Sequence, residues 1–137
     1  MADLWGVAVK DIDEAWPIIR ADLDRVIRVG WGHYDAEDTR RRIEAAEWQL
    51  WVAYDHDQYL GFVITEVRVW PKCKTLETVL LAGKDADRVI ADTQDRLMEF
   101  ARAHGCVALE MRGRFGWKRV LQRHGWTVGD VIGRIPL

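Results

Sequence analysis

Residues 75–110, TLETVLLAGKDADRVIADTQDRLMEFARAHGCVALE, read as strand, glycine loop, helix, glycine and strand. Thr75 to Ala82 is β-branched and aliphatic, which predicts a buried strand, and Gly83 breaks it. From Asp85 to His104, the apolar-facing positions Val89, Thr93, Leu97, Phe100, Ala101 and His104 recur at spacings of three and four. The charged residues fall mostly between them. Gly105 stands where a left-handed residue ends a helix, and Cys106 to Met111 returns as a strand. Two strands joined through a helix of this length predict a βαβ crossover, which sets a helix N-terminus beside the end of its first strand. A ligand site is expected there.

Working outward, three antiparallel strands are predicted. Gln49 to Tyr54, the turn Asp55 to Gln58, and Tyr59 to Trp70 form a hairpin, and Pro71 with Lys72 turns the chain into the strand at Thr75. Upstream, Leu4 to Lys10 alternates as a first strand. Asp11 or Asp13 then caps a helix to about Val29, with Pro17 expected in its first turn. A loop holding Trp31, His33 and Tyr34 leads to Asp35, which caps a short polar helix. Downstream, FGWKRVLQRH predicts a short helix closed by Gly125, and Trp126 to Leu137 supplies one or two last strands.

The 137 residues predict one domain spanning 1–137, with 49% hydrophobic and 31% charged residues, a globular balance. A net charge of -2 speaks against a dominant nucleic-acid surface, and no apolar run has the length of a membrane span. MADLWGV shows no basic-then-apolar leader, so a cytoplasmic location is the expectation. Cys73 and Cys106 belong to no CxxC pair, and the four histidines show no metal-ligand spacing, so no metal is expected. The chain has no serine, which removes a Ser-His-Asp triad. Arg112, Arg114, Lys118, Arg119 and Arg123 read as a solvated helix face ahead of a nucleotide-binding one. Eight tryptophans fill the core or mark a docking surface for a protein partner or for self-association.

The element order resembles that of the GNAT superfamily of acyl-CoA N-acyltransferases, and four phrases carry the likeness. FARAHGCVALEM is similar to the family's helix-to-strand passage and RVLQRHGW to its short helix ending in Gly-Phe, while AWPIIR and LGFVI sit where its first helix and third-strand Gly-Phe fall. The resemblance implies an α/β (α+β) fold: a mixed, mostly antiparallel sheet of six to seven strands with about four helices on its faces. It also implies acetyl-CoA as cofactor and an amine as acceptor. The backbone of Leu81, Ala82, Gly83 and Lys84, with Arg88, would hold the cofactor, and Glu77 would be the general base, with Glu66 the second candidate.

Two departures stand out. Only Gly83 remains of the spaced glycines in AGKDADRV, and Asp85 and Asp87 put carboxylates where a pyrophosphate would lie. Leu121 occupies the place of the family's tyrosine acid. GRFGWKRVLQRHGW further resembles the ending of short GNAT-like proteins of bacteriophages and prophages, which supplies a rival expectation: a catalytically silent scaffold, located in a virion or its assembly pathway.

Overall fold

The computed structural model describes residues 1–113, 116–129 and 132–137. Among them five strands form one sheet in the order β1 (Asp3–Gly6), β2 (Gln49–Asp55), β3 (Gln58–Val69), β4 (Lys74–Gly83) and β5 (Ala108–Met111). The first three pairings are antiparallel, and β4 with β5 is parallel. Four helices accompany the sheet: α1 (Ile12–Arg28), α2 (Ala36–Glu44), α3 (Ala86–Ala103) and α4 (Trp117–Arg123). The architecture is the mixed α+β one expected, with a smaller sheet. Residues 126–129 and 132–137 form no strand, so the expected sixth and seventh strands are absent from the described residues.

β4, α3 and β5 form the predicted crossover. Val89, Ile90, Thr93, Leu97 and Ala101 are the buried stripe of α3, and they meet Leu4, Trp51, Val63, Leu76 and Leu81 on one face of the sheet. Gly105, at φ 74°, reverses the chain, and Cys106 N–H reaches back to the Ala101 carbonyl at 2.9 Å. That bond closes the helix end and lets Cys106 pack beneath it.

The opposite face is covered by α1 and α2. Ile12, Ala15, Trp16, Ile19 and Leu23 recur on one side of α1 and pack with Ile43, Trp48, Leu50, Phe62 and Ile64. Each isoleucine, leucine and phenylalanine side chain among them stabilises the fold by about 1.5–3 kcal/mol on burial. Pro17 lies in the second turn, beyond the first turn where it was expected, because the helix begins at Ile12 with Asp11 at its N-cap. Its ring therefore removes an intrahelical hydrogen bond. Asp35 caps α2 in a reciprocal box with Asp38.

Candidate functional site

β4 and β5 run together for only four residues. Thr75 to Thr78 pair with Ala108 to Met111, after which β5 ends and β4 continues to Gly83. Residues 79–83 thus have no strand neighbour on that side among the described residues. On the other side Thr65 pairs with Thr78 and Ile64 with Leu80, leaving Val79 as an extra, bulged residue. A bulge bends the strand and frees backbone polar groups. The result is an open strand edge that leads directly to the N-terminus of α3.

Leu81 and Ala82 bury their side chains in the two cores, one on each face, so they offer only backbone to the opening. Gly83 has a different reason from the one its sequence position suggests. A Cβ there would lie 2.3 Å from the Leu60 carbonyl oxygen and 2.8 Å from Gly61 Cα, since the two glycines face each other across β3 and β4. It serves close strand approach first.

Charges around the start of α3 are largely committed. Asp85 accepts the Arg88 N–H at 3.1 Å, using one of the four N–H groups that a helix start leaves without intrahelical acceptors. Asp87 takes Arg123 at 2.7 Å and His124 at 2.6 Å from α4, and the His124 hydrogen bond holds its carboxyl below the usual range. Arg88 pairs with Asp55 and, at 3.5 Å, with Asp92, so its charge is shared between two carboxylates. Lys84 is exposed and makes no ion pair among the described residues.

Glu77 stands one residue before the strands part. It is 6% exposed, with Arg68 against Oε2 and Arg112 Nε 3.6 Å from Oε1. The Arg68 contact is an ion pair without hydrogen-bond geometry, and neither of the two buried atoms has a hydrogen-bond partner among the described residues. Burial pushes the Glu77 carboxyl above its ordinary value, opposed by Arg68 and Arg112 and reinforced by Glu66 and Glu110. Those two glutamates flank it in register, Glu66 on β3 and Glu110 on β5. Three carboxylates thus meet two guanidiniums. No group of metal-binding geometry occurs among the described residues.

Sequence reading missed Tyr34. It comes from the α1–α2 loop, and burial, followed by the Glu77 charge, pushes its hydroxyl above the ordinary value. The ring meets Trp48 edge to face at 5.4 Å, and Trp48 Nε1 donates to Glu66. Nothing local in the sequence marks this, because it arises from the register of β2, β3 and β4. Leu121 is 6% exposed and belongs to the α3-side core, so it cannot donate a proton. Arg114, one of the five basic residues of the segment, lies outside the described residues.

Past Glu66 the sheet end opens into a groove of about 770 Å3. Val7, Val9, Ile43, Leu50, Val67 and Phe100 supply its apolar wall.

No family model matches this chain, and no curated protein matches it. Solved structures do. An aminoglycoside acetyltransferase from an uncultured soil metagenomic sample superposes at a TM-score of 0.72 and 13% identity, over 100% of this chain and 99% of that one. The fold is that of the GNAT acetyltransferases. Within this GNAT fold, a ribosomal-protein-alanine N-acetyltransferase from Brucella melitensis biovar Abortus 2308 matches at TM-score 0.68 and 16% identity, covering 100% of this chain and 99% of that one. A predicted acetyltransferase from Clostridium acetobutylicum, solved with acetyl-CoA, matches at 0.68 and 12% identity, over 99% and 96%. Coverage this complete means the five-stranded sheet and the parting of β4 from β5 are compared with entire GNAT structures.

Proposed function

We propose that the chain is an acetyl-CoA-dependent N-acetyltransferase with an altered pyrophosphate loop. The observation that carries this reading is the bulged edge of β4 opening beyond Thr78, with Glu77 immediately before it and the start of α3 at its end. The residues present fit the cofactor. The backbone of residues 79–83, without a strand partner on the β5 side among the described residues, suits an extended amide-bearing arm, and Leu81, Ala82 and Gly83 offer no side chain to obstruct it. Lys84 and the first-turn N–H groups of α3 would meet the phosphates, with Arg88 contributing only as far as Asp55 and Asp92 release it.

Acetyl-CoA, when bound, supplies the activated acyl group. Glu77 takes the proton of the acceptor amine, directly or through water, and its burial raises its basicity for that task. Arg68 and Arg112 keep it ionised against the cost of burial.

Calorimetric titration with acetyl-CoA tests the reading. Micromolar binding that Lys84→Glu weakens supports it, and Lys84 is the right probe because its side chain is exposed whereas Gly83 is needed by the sheet. A folded chain that binds no acetyl-CoA at millimolar concentration overturns it.

The second reading is a catalytically silent scaffold, of the kind a virion or its assembly uses. Asp85 and the ion pairs of Asp87 and Arg88 favour it, since they fill the anion end of the site with the chain's own charges. Trp5 and Trp31, 64% and 48% exposed, would then form part of a docking surface.

A further inference from the structure

The groove at the sheet end lies beyond the start of β2, between the α2–β2 connection, the turn after β1 and the last turn of α3. Its volume of about 770 Å3 suits a small molecule, and the apolar part of its wall is aliphatic, with Trp48 and Phe100.

The polar residues of the lining are Arg42, Glu47, Gln49, Glu66, Lys74 and His104. Arg42 pairs with Glu47 at 3.1 Å and stacks over Trp48 at 5.3 Å, so that pair is internally neutral. Lys74 stands at the opposite rim and makes no ion pair among the described residues. On the floor is Glu66, whose side chain is 27% exposed. One of its oxygens accepts from Trp48 Nε1 and the other lies 3.4 Å from Arg68 Nε. Each carboxylate oxygen has two lone pairs, so Glu66 retains capacity for another donor.

In the adjoining cluster Arg68 reaches both Glu66 and Glu77, and Arg112 reaches Glu77 alone, so Glu66 shares its one guanidinium with a second carboxylate. Glu66 also stands directly across the ladder from Glu77. An amine received at Glu66 is therefore about one strand spacing, roughly 5 Å, from the proposed base.

We propose that this groove is the acceptor site and takes a primary amine carried on an apolar body, with Glu66 receiving the ammonium and the aliphatic wall receiving the rest. The inference rests on the acetyltransferase reading only for the chemistry after binding; recognition of the amine stands by itself. A polycation is a poor occupant. Lys74 and Arg42 line the same groove, and Glu47 is already paired with Arg42, so a second ammonium would meet a cation and no unpaired carboxylate there. Glu66 is here a positioning residue, since the proton is taken by Glu77.

The test is calorimetry with 2-phenylethylamine and with spermidine, with and without coenzyme A, alongside the acetyl-CoA titration. The expected result is 2-phenylethylamine binding at least about tenfold tighter than spermidine, with Glu66→Gln weakening it about tenfold, as loss of a charge-assisted contact does. In turnover Glu66→Gln raises KM for the amine and leaves kcat nearly unchanged, whereas Glu77→Gln lowers kcat. Lys74→Glu, at an exposed position, reverses part of the preference by strengthening spermidine. Spermidine binding as tightly as 2-phenylethylamine, no binding of 2-phenylethylamine in either condition, or an unchanged affinity in folded Glu66→Gln overturns the proposal. Amine binding without acetyl-CoA binding keeps the groove and sinks the acyl-transfer reading; the converse sinks the groove alone.

Discussion

Glu66 and Glu77 face each other across the β3–β4 ladder, and Arg68 is the cation between them, touching Glu77 and standing 3.4 Å from Glu66. Like charges directly opposite destabilise a sheet, so the arrangement is held by Arg68 and Arg112. Its effect on Glu77 has a definite sign. Burial makes the folded chain bind the Glu77 proton more tightly than the unfolded chain does, so this group favours folding below the ordinary carboxylate value of 4.5. That contribution is lost as pH rises through the raised value.

Activity moves the other way, because a base must be ionised. Glu77→Gln is expected to flatten the dependence of unfolding stability on pH from 4.5 upward, to remove the acidic limb of kcat against pH, and to lower kcat by about 10²–10⁴-fold. Urea unfolding and turnover, each measured across pH 4 to 8, check it. A kcat limb unchanged in the variant assigns the base elsewhere.

Gly83→Ala is expected to destabilise the fold by about 1–3 kcal/mol, because its methyl would lie 2.3 Å from the Leu60 carbonyl oxygen and two backbones must shift to admit it. Urea unfolding measures the loss, and Gly61→Ala, whose methyl meets the Ala82 carbonyl oxygen at the same distance, is expected to behave alike. Stability unchanged in both variants would mean the strands spread without cost.

Much of this was legible because it is periodic. The stripe Val89, Thr93, Leu97 and Ala101, the hairpin, and Gly105 at the end of α3 each follow from local spacing, and the structure places them within a residue or two of expectation. What escaped was whatever depends on register between distant strands. Glu66, Glu77 and Glu110 become neighbours only through two pairings, and the bulge at Val79 shifts every later β4 residue by one position. Gly83 reads as a loop glycine until Gly61 is seen opposite it. Trp126 to Leu137 looked strand-like by composition, but Trp126 and Val128 pack onto the α3-side core instead, and Arg134 lies 5.4 Å from the ring centre of Trp31.

Asp85→Ser separates helix capping from electrostatics. Serine caps a helix nearly as well as aspartate, so the start of α3 is retained while one negative charge leaves the anion end of the site. Removing a charge about 4 Å from a phosphate in water is worth about 1 kcal/mol, which is about fivefold in affinity. Acetyl-CoA is therefore expected to bind about fivefold tighter to the variant, with unchanged thermal stability. Calorimetry decides it, and weaker binding would place the phosphates away from this helix end.

Asp87 joins two helices, receiving Arg123 and His124 from the end of α4 at 2.7 and 2.6 Å. These partners hold its carboxyl below the ordinary 3.8, so the clamp contributes fully above that pH and is lost as pH falls through the lower folded value. Because the groups are substantially exposed, the contribution to global stability is small, and the effect belongs to α4 alone. α4 has seven residues and one fully buried side chain, Leu121, so it has few other ties. Asp87→Asn is expected to speed amide hydrogen exchange in residues 117–123 several-fold at pH 6 while leaving α1 unaffected. Lowering the wild type from pH 6 to below the depressed folded value of Asp87 should reproduce the loosening after correction for intrinsic exchange rates. Equal protection of α4 in wild type and variant would show that Leu121, Trp126 and Gln94 hold this helix without the ion pairs.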